Sequence, residues 1–261
     1  MTVPKFQKMK RLQEKITMIT CYDHPSACII DETAIDLILV GDSVAMVVHG
    51  YPDTTHATVD MIALHTSASR RGTSKFIVAD MPFMSYRKSR ENTLDNAHKL
   101  IMAGANAVKL ESALGNLDVI TQMVESGIPV VGHLGLTPQH INTLGGFKVQ
   151  GRDANAQAEL IEQAKQLEAA GCFMLVLECV PAHLANSVTE QLNIPTIGIG
   201  AGPQTDGQVL VWHDLLGMQQ HLKLKFLKKY MNGFSLCKQA IDDYNNDVKQ
   251  VAFPDIQQHC F

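Results

Sequence analysis

Acidic residues stand at the ends of apolar runs along this chain. Asp23 follows the run at 16–22, Asp42 closes 36–42, Asp80 closes 75–80, Glu111 closes 107–111 and Glu178 closes 173–178, while His133 closes 128–133. Carboxylates gathered on one rim repel each other unless a cation or protons neutralise them. A hard divalent metal resolves that repulsion. With oxygen donors, no H-E-x-x-H and no cysteine pair, the pattern points to Mg2+ rather than Zn2+. Mg2+ keeps waters beside one or two carboxylates, and those positions can take substrate. Asp42, Asp80 and Glu111 are the expected ligands; each acid taken alone also suits the N-cap of a following helix.

Lys109 lies two residues before Glu111, so on a strand both side chains share one face. A buried lysine needs an anion, either the metal's own acids or a substrate carboxylate. Ser43 could donate to the same ligand or cap the next segment. Glu178 stands apart, since FMLVL precedes it and Cys179, Val180 and Pro181 follow. A dry carboxylate suits a general base working on a carbon acid; a hydrogen-bonded structural glutamate is the other reading. His133 could bond a substrate oxygen or be a satisfied core histidine. GIGAG at 198–202 lacks G-x-G-x-x-G spacing and follows a late strand, which argues against a dinucleotide site. It suits a phosphate, or close approach of backbone and ligand.

The elements that must position these residues are eight β-type runs: 16–22, 36–42, 75–80, 107–111, 128–133, 173–178, 195–200 and, more weakly, 208–214. Apolar runs without period-two alternation belong in a parallel sheet covered on its outer face. Between them, 58–71, 90–103 and 154–170 carry helical spacing, the last two closed by Gly104 and Gly171. At 261 residues with no linker, one α/β domain results, a single (β/α)8 TIM barrel over residues 1–261. It has an N-terminal helical extension and a C-terminal helical segment from about residue 215; a doubly wound open sheet is the fallback. Parallel strands bring all the strand-end residues to one mouth. The basic stretch HLKLKFLKKY at 221–230 reads as a solvated helix face or subunit contact, and 251–261 gives little signal.

Composition narrows the function. Hydrophobic residues are 46% and charged residues 18%, which gives ample core. Lys+Arg 22 against Asp+Glu 26 leaves a net charge of −4, no footprint for nucleic acid. No apolar stretch approaches the ~20 residues of a membrane span. The charged N-terminus lacks the apolar core of a secretory signal. Cys21, Cys28, Cys172, Cys179, Cys237 and Cys260 form no C-x-x-C and read as reduced, small buried hydrophobes, which fits a cytoplasmic protein.

The ordered motifs TCYD (20–23), LVGDS (39–43), RRG (70–72), ADMPFMSY (79–86), AGANAVKLE (103–111), GHLGLTPQ (132–139), GGFKVQGR (145–152), LVLECVP (175–181) and IGIGAG with TDGQVLVWHD (197–214) carry a resemblance. Over about 16–214 the chain resembles the ketopantoate hydroxymethyltransferase (3-methyl-2-oxobutanoate hydroxymethyltransferase) family. The resemblance implies a barrel of the phosphoenolpyruvate/pyruvate-binding type and a one-carbon transferase. It implies hydroxymethyl transfer from 5,10-methylenetetrahydrofolate to 3-methyl-2-oxobutanoate through a Mg2+-stabilised enolate, giving ketopantoate for pantothenate synthesis. It puts Mg2+ on Asp42 and Asp80 with Glu111 in or beside the coordination sphere, the 2-oxo acid against Asp42, Ser43, Asp80 and Lys109, the proton-accepting role on Glu178, and His133 in the site wall. It also implies a homo-oligomer, a decamer built from five dimers. The chain departs from the usual pattern at Ala45 and Ser112, where glycine is frequent, and at His24-Pro25; past Asp214 the match is loose.

Overall fold

The eight strands pair in chain order, each parallel to the next, and the last returns to the first to close a barrel. The computed structural model describes residues 1–146 and 148–261; Phe147 of the GGFKVQGR motif lies outside the described residues. The strands are β1 (Ile16–Thr20), β2 (Leu37–Val40), β3 (Phe76–Asp80), β4 (Ala107–Glu111), β5 (Val130–Gly135), β6 (Met174–Glu178), β7 (Thr196–Ile199) and β8 (Gly207–Leu210). Helices α1 (Val3–Arg11), α2 (His24–Asp31), α3 (Val44–Val47), α4 (Val59–Gly72), α5 (Arg90–Met102), α6 (Leu117–Glu125), α7 (Ile141–Leu144), α8 (Ala154–Ala169) and α9 (Ala182–Gln191) precede, join or cover them. The longer covering helices α4, α5 and α8 begin where a side chain satisfies free backbone N–H groups. Thr58 accepts from Met61 N ahead of α4, Ser89 from Asn92 N ahead of α5, and Asp153 from Ala156 N ahead of α8.

By its internal contacts the chain forms one compact unit over Met1–Val211 and a second over Trp212–Phe261. The second unit contains α10 (Trp212–Leu215), α11 (Gly233–Lys249) and α12 (Ile256–His259). Two expectations fail there. The eighth strand stops at Leu210, and Trp212 already begins a helix. Residues 221–230 are not helical. Leu222, Leu224 and Phe226 alternate with Lys223 and Lys225, a period of two that gives a helix no single apolar face.

Along each strand one face fills the barrel interior. Ile16, Met18, Leu37, Leu39, Phe76, Val78, Ala107, Val131, Met174, Val176, Ile197 and Val209 form this core. Helix α1 stops its N-terminal end. Phe6, fully buried, packs edge-on against Phe76 at 5.3 Å and stacks on Phe173 at 6.3 Å. The Lys10 ammonium holds the helix down through Asp206 Oδ2 at 2.8 Å and Thr189 O at 3.0 Å. Cys21 and Cys172 are buried, as small hydrophobes should be, whereas Cys28, Cys237 and Cys260 are exposed. Cys28 on α2 and Cys237 on α11 face outward and Cys260 follows α12, which corrects the reading of all six as core residues.

Candidate active site at the barrel mouth

Toward the C-terminal ends of the same strands the inward face turns from apolar to charged. Asp80, Lys109, Glu111 and His133 are each less than a twentieth exposed, and Asp42, just past β2, is 5% exposed. The strand register brings them side by side: Asp80 pairs with Lys109, Glu111 with His133, and Gly135 with Glu178. The period-two relation of Lys109 and Glu111 therefore holds, with both side chains buried.

Asp80 uses one oxygen, Oδ2, to accept the Asp42 backbone N–H at 2.9 Å. Its other oxygen lies 2.8 Å from Lys109 Nζ, yet makes no hydrogen bond of regular geometry. Lys109 is thus ion-paired with an acid of the cluster itself. Burial lowers the lysine pKa, but Asp80, Asp42 and Glu111 outweigh it and hold the ammonium charged well above the ordinary lysine range. Asp42 shows the opposite balance. Burial, then the charges of Asp80 and Glu111, push its pKa well above the usual carboxylate value, and Lys109 and the Gln139 amide only partly compensate.

Glu111 is the best-served acid. One oxygen accepts Gln139 N–H at 3.1 Å and lies 3.6 Å from His140 Nδ1; the other lies 3.5 Å from His133 Nδ1. Burial raises its pKa, but the two histidines and Lys109 overcome that and lower it to about 2. His133 lies between two carboxylates, with Nε2 3.3 Å from Glu178 Oε2. Burial and the Lys109 charge push its pKa down; Glu111 and Glu178 lift it to about 9. Its Nδ1 also lies within hydrogen-bond distance of Lys109 Nζ, at 3.3 Å. Glu178 is less enclosed than its apolar run suggested, with 18% of its side chain exposed at the open side of the cluster.

Ser43 sits at the N-cap position of α3 but makes no capping bond; its hydroxyl shares a 2.8 Å hydrogen bond with Tyr22 OH. Asp23 departs from the cluster altogether. It caps α2, accepting Ser26 N–H at 2.8 Å and Ser26 O–H at 2.9 Å, so this strand-end acid has a structural role. At the start of GIGAG a Cβ on Gly198 would lie 2.7 Å from Thr205 Oγ1, so glycine there allows close packing.

Gln139 was not singled out from the sequence, yet it joins the cluster together. Its amide donates to Asp42 Oδ2 at 2.8 Å and to Met81 O at 3.0 Å, while its own oxygen accepts from Tyr86 OH at 2.6 Å. It lies with His140 in a 3-10 turn, Pro138–His140, after β5. The available signal was its place at the end of GHLGLTPQ, outside any strand.

The donor set suits a hard cation. Three buried carboxylates face one lysine and one histidine, and Asp80 Oδ1 and Glu111 Oε1 are buried without hydrogen bonds. Among the described residues no three His, Cys, Asp or Glu side chains form a ready metal cage.

A closed parallel barrel with helices alternating along the chain defines a (β/α)8 protein, an architecture whose active sites lie at the strands' C-terminal ends. Solved structures share this fold. The chain is similar to 2,3-dimethylmalate lyase, a PEP mutase/isocitrate lyase superfamily member, with TM-score 0.59 at 13% identity over 99% of this chain and 91% of that one. It is also similar to phosphonopyruvate hydrolase in complex with oxalate and Mg++, with TM-score 0.63 at 11% identity over 99% and 93%. At such identities the likeness is one of fold. Sequence goes further: the family model described as ketopantoate hydroxymethyltransferase matches residues 1–256. A Coxiella burnetii 3-methyl-2-oxobutanoate hydroxymethyltransferase is 53% identical over 100% of this chain and 99% of its own length. The chain belongs to the ketopantoate hydroxymethyltransferase family.

Proposed function

We propose that this enzyme transfers a hydroxymethyl group from 5,10-methylenetetrahydrofolate to 3-methyl-2-oxobutanoate, forming ketopantoate for pantothenate synthesis. The observation that carries the reading is the buried charged layer of Asp42, Asp80, Lys109, Glu111 and His133 beside the more open Glu178. Asp42 and Asp80 would hold Mg2+, with Glu111 beside it as an acceptor already engaged by Gln139 and the histidines. The solved barrel with oxalate and Mg++, a small dicarboxylate and a divalent ion together, supports this choice. Bound there, the cation would draw off negative charge developing on the keto oxygen.

The chain's own residues do the remainder. Lys109 and Ser43 orient the oxo acid, Lys109 through its charge and Ser43 through a hydroxyl already aligned by Tyr22. Glu178 accepts the proton from C3, and His133 holds that carboxylate in place from within the cluster. The carbon so freed adds to the donor's methylene carbon, and water completes the transfer, supplying the hydroxyl oxygen as the methylene–nitrogen bonds break and tetrahydrofolate leaves.

The direct test needs no donor. In D2O the wild-type protein with Mg2+ should exchange the C3 hydrogen of 3-methyl-2-oxobutanoate, followed by NMR, and should stop when EDTA removes the ion. Exchange that is absent with Mg2+ present would sink the reading.

Assembly into a homo-oligomer, five dimers in a decamer, and a cytoplasmic location complete the proposal. Support for assembly comes from α11, where Phe234, Ile241, Tyr244 and Val248 recur at intervals of seven, three and four and are exposed. Light scattering checks it, and a monomer at micromolar concentration would refute it. No helix among the described residues is long and apolar enough to cross a membrane.

A further inference from the structure

Gln139 belongs to no strand, yet it ties together the mouth ends of four. It sits in the 3-10 turn after β5 and is only 3% exposed. Its backbone N–H donates to Glu111 Oε2 at 3.1 Å, at the end of β4. Its side-chain amide donates to Asp42 Oδ2 at 2.8 Å, just past β2, and to Met81 O at 3.0 Å, just past β3. Two acids of the cluster, which repel each other, are thus held by one residue that carries no charge.

The partners fix which way the amide faces. A backbone carbonyl only accepts, so the amide nitrogen must meet Met81 O. The second N–H then falls to Asp42, and Oε1 is left to the Tyr86 hydroxyl, which donates at 2.6 Å. Tyr86 is held in its turn: it is 4% exposed, with the Arg87 guanidinium 5.4 Å above its ring. Turned over, the amide would set Oε1 against two acceptors. Met81 O and Tyr86 O–H would be enough to satisfy a buried amide, and the bond to Asp42 is the one that bears on the chemistry. Asp80 is treated in the same way, with Oδ2 tied by the Asp42 backbone N–H at 2.9 Å.

We propose that Gln139 is a positioning residue for the divalent cation: it holds Asp42 by Oδ2, which leaves Oδ1 to the ion, and it acts through Asp42 without touching the substrate. The assignment rests on the reading of Asp42 and Asp80 as the cation site. Without the amide, the Asp42 carboxylate faces the charges of Asp80 and Glu111 with one donor fewer, and the ion must order it on binding. The loss therefore falls on cation affinity. Proton removal belongs to Glu178, which Gln139 does not contact through any of these bonds.

Gln139→Met tests the assignment, because it keeps the length of the side chain and the backbone N–H but removes the amide. Mn2+ binding to the full-length protein, followed by EPR, should weaken about tenfold. In C3 exchange the half-saturating Mg2+ concentration should rise by the same factor, while the maximal rate falls by no more than about threefold. Tyr86→Phe leaves Gln139 in place but takes the donor from its oxygen; it should weaken Mn2+ binding several-fold, which keeps the test decisive if Gln139→Met does not fold. A purely structural glutamine predicts a lowered thermal midpoint with wild-type Mn2+ affinity in the folded protein, and that result overturns the assignment. So does a maximal rate that falls as far as the affinity. A wild-type protein that binds no Mn2+ removes the cation site and Gln139's role together. Normal binding in the wild type and in the folded variants removes the role of Gln139 alone.

Discussion

Phe76 and Asp80 lie four residues apart on one face of β3, yet they serve opposite ends of the same barrel. At the N-terminal end the inward positions are filled by Phe76, Phe173 and the Phe6 ring of α1, an apolar stop with no charge to satisfy. At the C-terminal end the same faces carry Asp80, Lys109, Glu111 and His133, as deeply buried, and with Asp42 beside them three carboxylates face one lysine and one histidine. Burying apolar surface stabilises the fold by ~25 cal/mol per Å2. Burying charge costs free energy unless every partner is present. One end therefore holds the barrel together, and the other keeps acids in a state they would not choose in water. Asp42 records that directly, since burial and its neighbours push its pKa well above the usual range.

The sharpest way to break this contrast is Glu178→Gln. Loss of a general base costs ~10²–10⁴-fold, so C3 exchange should fall by about three orders of magnitude while urea unfolding shifts by less than about 1 kcal/mol. A large stability loss would mean that the open end is also a structural element. Phe6→Ala should do the reverse. Truncating a buried aromatic costs about 3–5 kcal/mol in denaturant titrations, yet exchange per folded molecule should persist, because the ring touches only the apolar end.

Asp42→Asn sharpens the comparison. Removing one charge from a like-charged buried set should stabilise the metal-free protein by about 1–2 kcal/mol in a thermal scan with EDTA. The same change should abolish the stabilisation Mg2+ gives the wild type, about 2.7 kcal/mol at a hundred times the dissociation constant. Stabilisation by Mg2+ that survives the substitution would put the ion elsewhere.

The smallest effect concerns backbone strain. Ser112 is held at φ +72°, immediately after Glu111. Its position is fixed by His133 O, which accepts its N–H, and by Asn116, whose amide donates to its carbonyl. A non-glycine residue in the left-handed region costs about 1–2 kcal/mol, part of which glycine returns in unfolded-chain entropy. Ser112→Gly should raise stability by about 0.5–1 kcal/mol by differential scanning calorimetry, and a decrease would mean that the hydroxyl bond to Leu114 N outweighs the strain.

What could be read from the sequence follows from these forces. Parallel strands buried on both faces are apolar until they reach the mouth, so the last residue of each run betrays the site; Asp80, Glu111 and Glu178 were legible for that reason, and Lys109 through its period-two link to Glu111. Asp23 satisfied the same rule and proved to be a helix cap, because an acid past a strand end meets the next helix's free N–H groups as readily as a ligand. Gln139, His140 and Tyr86 were not legible. They belong to loops and reach the cluster through tertiary geometry alone. Phe6 was hidden differently: a single phenylalanine in a basic N-terminal helix gives no hint that it closes a barrel. The irregular course of residues 221–230 shows the limit of composition, since lysine and leucine favour helices but their alternation offers no face to bury.

The central claim is that Asp42 and Asp80 make the barrel mouth a divalent-cation site that gathers the oxo acid. Titration of Mn2+ as a paramagnetic substitute, followed by its EPR signal with and without 3-methyl-2-oxobutanoate, tests it most directly. The account predicts one ion per chain, bound more tightly when the oxo acid is present, and at least a tenfold loss of affinity in Asp80→Asn. Equal affinity in Asp80→Asn, or no response to the oxo acid, would contradict it.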